Sequence, residues 1–493
     1  MRGRVAALVA VAVLAAGCSG GDDDASERTT GAGTTGSSPA GPSASPAPDL
    51  DAALSTPVED SFYPDVGDPG VDALHYDLKL DWAPTRRRLS GTATITLRAT
   101  ADADRLRLDL GPRMRPSAVT LDGRDVPFTH PGKDLLVEAA VTAEERHELV
   151  VEYAGRPGPV PAPTRRSDFS VTGITVTDAG ELWTMQEPFG AYSWYPVNDQ
   201  PADKALYDVS ITTDAPFRGV ANGELLDTST TDGRTTTRWH LDSPASSYLT
   251  TIAVGDYRHD SGTTGSGLTV DYWVPRGMPR VLSRLRKAPR TVDWIEERLG
   301  PYPFSTLGLV VTDSESAMET QTMITLGTNA YVLSEPVIMH EIAHQWYGDL
   351  VSPSDWRDVW LNEGMTMYLQ GRYEADLAGL PASEALASYE QACRASLAEA
   401  GPPGDYDRGS FGAGNIYYCP ALMWDELRKR LGEDEFWAVA RSWLEENAGT
   451  SVGREQLYDH WEDATGLELS SFFDSWITGE TMPEVTPEQP LAP

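Results

Sequence analysis

Cysteine, positive charge and long apolar runs are all scarce in this chain. Only three of its 493 residues are cysteine, so a fold held mainly by disulfides is excluded. Lysine and arginine number 39 against 74 aspartates and glutamates, a formal charge of −35. Such a surface repels phosphate backbones, which argues against nucleic acid as a partner. The one extended apolar run, "VAALVAVAVLAAG" near the N-terminus, is too short for a comfortable membrane span, and no later stretch reads as a transmembrane helix. Histidine is sparse too, eight in all, and no internal repeat is visible. What the chain does have is core-forming material: 40% of its residues are apolar, over a length that calls for two or three domains.

The N-terminus reads as an export signal, with "MRGR" as its positive region and the apolar run behind it. The run ends in Ala15-Ala16-Gly17-Cys18, which resembles a bacterial lipobox, although leucine is usual where Ala15 stands. The resemblance implies a signal peptide over 1–17, acylation of Cys18 and a lipid anchor as the only membrane attachment. The protein would then sit on the outer face of the cell membrane, or be secreted if Cys18 is not acylated. Residues 18–55, rich in Gly, Ser, Thr and Pro, read as a disordered tether. The remaining cysteines, Cys393 and Cys419, are an even pair in an exported chain and are expected to form a disulfide rather than two separate thiols.

From about residue 71 to 270 the pattern has period two. "LHYDLKLDW", "LSGTATITLRAT", "RLRLDL", "ELVVEYAG", "YDVSITTD", "TTTRWHLD" and "LTTIAVGDY" alternate apolar and polar residues between turn-rich breaks. That predicts an N-terminal antiparallel β domain of saddle or sandwich type over 56–270. Beyond residue 280 the stretches "VLSRLRKAPRTVDWIEERLG", "EPVIMHEIAHQWYG", "DVWLNEGMTMYLQGRYEADL", "ALMWDELRKRLG" and "DEFWAVARSWLEEN" are helical by spacing, with one strand, "TLGLVVTD". The second domain, 271–485, is therefore mainly helical within an α+β multidomain chain, and 486–493 reads as a tail.

Within the second helical stretch, His340 and His344 stand four apart, on one helix face, with Glu341 directly after the first. Chance and packing compete with a metal site. Eight histidines give a random His-Glu-x-x-His in roughly one such chain per hundred, and two packed histidines on an amphipathic helix would look the same. A catalytic zinc takes three protein ligands and leaves a fourth position open. The other histidines, at 75, 130, 147, 240, 259 and 460, are scattered, so a carboxylate is the better third ligand. Glu363, nineteen residues after His344, fits: "VSPSDW" can turn the chain so that an antiparallel helix returns it to the ion. Pro336 suits the first turn of the histidine helix, and Gly348 is placed to end it.

The run His340-Glu-Ile-Ala-His344 with Trp-Leu-Asn-Glu363-Gly resembles the gluzincin zinc aminopeptidases, the family of alanyl aminopeptidase and leukotriene hydrolase. "HYDLKL", "EPFGAYSWYPVNDQPADKALYDVSI", "YPFSTLGLVV" and "LSSFFDSWITGETMPEV" extend the resemblance over about residues 70–485. It implies a thermolysin-like catalytic domain and one Zn2+ per chain on His340, His344 and Glu363, with Glu341 as the base. The substrates would be peptides with a free N-terminus, and the protein a monomer. The family signature Gly-x-Met-Glu-Asn appears as Ser316-Ala317-Met318-Glu319-Thr320. Glu319 would hold the substrate α-amine, with Ala317 and Met318 beside the substrate backbone. Glu187 would be a second amine-binding group, with Gln186 its rival by one register step. Tyr417, or its neighbour Tyr418, would stabilise the oxyanion. The family's large C-terminal helical domain has no counterpart in these residues. A thermolysin-like endopeptidase shares the zinc ligands but needs no Glu319. A non-catalytic surface-anchored binding protein predicts lost ligands, and an epoxide hydrolase side activity belongs to one branch of the family.

Overall fold

A computed structural model describes residues 48–486. Cys18, the expected signal peptide, most of the expected tether and the tail from 487 lie outside the described residues. The fold takes in chain ahead of residue 56: Ala53 is buried with Leu74 and Leu206, and Ser55 bonds to Asp72 and Lys204. These apolar contacts help offset the entropy of ordering residues 48–55.

Of the seven period-two stretches, "RLRLDL" and "LTTIAVGDY" supply strands to smaller sheets, and the other five become the centre of an eight-stranded sheet. Its order is Glu224–Thr231, Arg234–Ser246, Lys204–Asp214, Val71–Ala83, Arg88–Ala99, Arg146–Gly155, Met114–Leu121 and Arg124–Asp125. Along Val71–Ala83 the alternation is literal, with Tyr76, Leu78, Leu80 and Trp82 buried and Lys79 exposed between them. Each such buried side chain is worth about 1.5–3 kcal/mol relative to exposure, which fixes the register. One ladder departs from the antiparallel expectation. Val71–Ala83 pairs in parallel with Lys204–Asp214, because the long excursion between them frees that pair from hairpin geometry.

A second, five-stranded sheet carries Leu182–Met185, whose end delivers Glu187 to the site. A third runs across residue 270. It joins Tyr257–Thr263, Thr269–Pro275, Leu307–Val311 and Met323–Leu326, with Ala317–Met318 as its edge strand. Only Leu307–Val311 was legible as a strand in the helical half; the two- and four-residue strands beside it are too short to show a period.

The helices that matter to the site are Glu335–Ala343, Trp360–Ala378, Ala382–Ala400 and Asn415–Leu431. Ala382–Ala400, which the pattern did not reveal, buries little beyond Leu386, Tyr389, Cys393 and Ala400. Cys393 is joined by a disulfide to Cys419 on Asn415–Leu431. Gly364 lets Trp360–Ala378 and Asn415–Leu431 approach closely: a Cβ there would lie 2.5 Å from the Pro420 Cβ. Among the described residues no helix is long and apolar enough to cross a membrane.

Candidate metal centre and substrate cavity

Helix Glu335–Ala343 starts with Pro336 in its first turn and is buried on nearly every side. It ends at Ala343, with His344 as its cap, rather than near Gly348. The chain loosens there because Asp349 N–H returns to the His344 carbonyl at 3.0 Å and Leu350 N–H to the Gln345 carbonyl at 3.3 Å. Gly348, at φ +129°, makes the bend, and a Cβ on it would sit 3.2 Å from His344 Nδ1.

His340 and His344 still share a face. Their Nε2 atoms are 3.2 Å apart, and Glu363 Oε2 lies 3.3 Å from the first and 3.4 Å from the second. Glu363 comes from the first turn of Trp360–Ala378. His344 Nδ1 is 3.0 Å from the Tyr347 carbonyl, which can only accept, so the proton sits on Nδ1 and the Nε2 lone pair faces Glu363. His340 Nδ1 has no partner. Three buried donors of the N, N, O set that zinc prefers thus converge with no side chain between them, and the residues fit a metal ion.

The three groups also shift one another's protonation. Burial would raise the Glu363 carboxyl, but the two imidazoles hold it well below the usual carboxylate range. Burial pushes His340 down. For His344 burial works in the same direction, and Glu319 and Glu363 outweigh it and drive the imidazole well up.

The centre opens on a cavity of about 470 Å³. Six glutamates line it, namely 187, 315, 319, 341, 363 and 399, with Asp168, while Arg165 and Arg166 are its only guanidinium groups. Glu341, Glu319 and His344 have ligand atoms within 4.8 Å of one another, as do Glu187, Glu319 and Glu363. Burial and the neighbouring Glu319 raise Glu341 well above its ordinary value. The same two causes raise Glu187 well up, and burial raises Glu319 against the pull of His344. Glu187 and Glu319 each keep a buried carboxylate oxygen without a hydrogen-bond partner. Gln186 does not face the cavity. Its Nε2 is committed to Ser247 O and Thr250 O, and its Oε1 accepts from Trp194 at 2.9 Å.

Ser316, Ala317, Met318 and Glu319 all line the cavity from the edge strand. Tyr417, in the first turn of Asn415–Leu431, has its ring 6.1 Å from the His340 ring. Tyr418 also lines the cavity but stacks edge-on against Tyr389 at 5.1 Å.

Two residues that the pattern did not mark belong to the arrangement. Gln345 accepts from Thr322 N at 2.9 Å and donates to the Glu319 carbonyl at 3.0 Å, tying the edge-strand loop to the metal helix. Its only cue in the sequence was an amide directly after His344. Arg166 lies in "APTRRSDFS", a segment with no period, where an Arg-Arg pair beside an aspartate in so acidic a chain was the only cue.

Two imidazoles and a carboxylate from adjoining helices, with a glutamate on the first helix and an open acidic cavity beside them, define a gluzincin-type metallopeptidase site. Residues 284–476 match the peptidase family M1 domain and residues 72–249 the peptidase M1 N-terminal domain. The chain belongs to peptidase family M1.

It is 25% identical over 461 residues to an aminopeptidase N of Lactobacillus delbrueckii subsp. lactis, covering 86% of this chain and 52% of that protein. It is 23% identical to a probable aminopeptidase 1 of Sulfurisphaera tokodaii, covering 84% and 54%. The chain thus spans about half the length of the curated relatives it matches. A crystal structure of an M1 zinc metallopeptidase from Deinococcus radiodurans superposes with a TM-score of 0.77 at 26% identity, covering 88% of this chain and 100% of that one. A mutant of that enzyme with a bound Tyr-Ser-Ala substrate gives the same TM-score at 25% identity and the same coverage of both chains.

Proposed function

We infer that the chain is a zinc metallo-aminopeptidase that removes the N-terminal residue from peptides, with one zinc per chain. The observation that carries this reading is the pair of buried, partnerless carboxylate oxygens of Glu187 and Glu319 beside the His340–His344–Glu363 cluster. Crowded carboxylates repel one another and are pushed up in pKa, and a substrate ammonium relieves both effects with charge-assisted hydrogen bonds. Holding the amine there fixes the reacting bond one residue from the N-terminus.

His340, His344 and Glu363 would hold the zinc, which would supply Lewis acidity toward the scissile carbonyl and a water of lowered pKa. Glu341 takes the proton of the attacking water on its carboxylate and returns it to the leaving amine. Burial and Glu319 raise the Glu341 carboxyl, which makes its carboxylate a stronger base. The Tyr417 hydroxyl donates to the oxyanion of the tetrahedral adduct, and Ala317 and Met318 border the substrate backbone. The resemblance of Ala15-Ala16-Gly17-Cys18 to a lipobox supports export and anchoring by lipid. Neither an endopeptidase nor a non-catalytic binding protein accounts for amine-facing carboxylates beside a complete ligand set.

A panel of aminoacyl-fluorophores assayed with and without a chelator tests the reading. Chelation is expected to abolish release and one equivalent of zinc to restore it. Chelator-resistant turnover would refute it.

A further inference from the structure

In a cavity lined by seven carboxylates, the two arginines behave differently. Arg165 turns away to Asp407. Arg166 turns inward. Its Nε and Nη2 grip Asp168 at 3.2 and 2.6 Å, and its Nη1 donates to the Gly412 carbonyl at 3.4 Å and the Tyr417 hydroxyl at 3.5 Å. The segment that carries it is docked on the loop ahead of Tyr417. Phe411 N–H donates to the Pro163 carbonyl at 3.0 Å, and Thr164 Oγ1 donates to the Phe411 carbonyl at 2.6 Å. A guanidinium fork held at three points has little freedom to move relative to the tyrosine.

The chemistry of that contact has one sense only. Arginine has no acceptor, and tyrosine has one O–H. The Tyr417 oxygen must therefore be the acceptor, and its single proton points away from Arg166. We propose that the Asp168–Arg166 pair is the positioning device for Tyr417: it fills the acceptor side of the phenol oxygen and leaves the O–H free for the substrate oxyanion. This deepens the aminopeptidase reading and rests on it. An ordinary phenol keeps its proton at neutral pH, so Tyr417 has an O–H to donate. Asp168 is held down by its bond to Arg166 and so remains the anion that orients the fork. Tyr418, packed on Tyr389, has no such partner. The oxyanion donor of the helical half would thus be aimed by a residue of the β-rich half.

The test is steady-state kinetics on a free-amine aminoacyl-fluorophore with the full chain loaded with zinc. Tyr417→Phe is expected to lower kcat about 10²–10³-fold. Arg166→Gln should lower kcat about tenfold with KM within about twofold, and Arg166→Lys, which keeps a donor with no acceptor, should recover most of the loss. Asp168→Asn should lower kcat by a smaller factor in the same direction. The decisive arm is the double variant Arg166→Gln/Tyr417→Phe, expected within about twofold of Tyr417→Phe alone. Losses that multiply in the double variant, or a change in KM alone, would overturn the inference while leaving the aminopeptidase reading intact. A wild-type enzyme that releases no fluorophore would overturn both.

Discussion

The two halves of the site are built at different ranges along the chain. In the helical half, two imidazoles, the base and the third ligand fall between residues 340 and 363 and need only one helix, one turn and the start of another. The β-rich half reaches in from residues 166 and 187 and is placed by docking alone. In the proposed reading the first half carries out the hydrolysis, while the second contributes Glu187, which joins Glu319 in choosing the bond, and Arg166, which aims Tyr417. Damage to each should therefore have its own kinetic signature.

The largest effects are expected in the helical half. Glu363→Gln should cost both zinc and turnover, read by metal analysis and kcat. Glu341→Gln should keep the zinc and lose about 10²–10⁴ in kcat. If Glu341→Gln kept full turnover, the proton-transfer role would be wrong. Next come the carboxylates proposed to bind the amine. Glu319→Gln is expected to lower kcat/KM about 10–100-fold on free-amine substrates, the value of a charge-assisted hydrogen bond, with Glu187→Gln following in the same direction. A loss that was equal for N-blocked substrates would contradict the assignment.

A smaller effect tests how the ligand helix meets the tyrosine helix. Gly364→Ala puts a Cβ 2.5 Å from Pro420 Cβ, so the helices must part. Urea unfolding should show about 1–3 kcal/mol of destabilisation, and kcat should fall.

The smallest effect concerns a strut between the halves. Lys204, buried in the β-rich half, donates to the Asp349 and Leu350 carbonyls behind the metal helix at 2.7 and 3.2 Å. Desolvation pushes it down to about 7. Between that value and the unfolded lysine's ordinary value of about 10.4, the unfolded chain holds a proton that the folded chain has released. Stability gains a rising component with pH in that window. Lys204→Met should remove that component from the pH dependence of the urea midpoint, and an unchanged slope would contradict it.

What was legible follows the same divide. Four-residue spacing brings His340 and His344 together on any helix, and a catalytic zinc's need for a third ligand pointed to Glu363. The end of that helix was misread, because the hydrogen bonds that loosen the chain after Ala343 involve a bend at Gly348 rather than a cap. The choice between Glu187 and Gln186 could not be made from register alone. It is made by Trp194, Ser247 and Thr250, which saturate the amide and leave the carboxylate facing the cavity. Arg166 lies in a loop without periodicity, and its partners are at 168, 412 and 417. Local pattern encodes the proposed metal ligands, and tertiary docking sets the rest.

The central claim is that the glutamates beside the metal site read a free amine. One peptide, offered with a free N-terminus and again N-acetylated, tests it directly. The account predicts release of the first residue from the free form and little or no cleavage of the blocked one. Equal cleavage of both would contradict it.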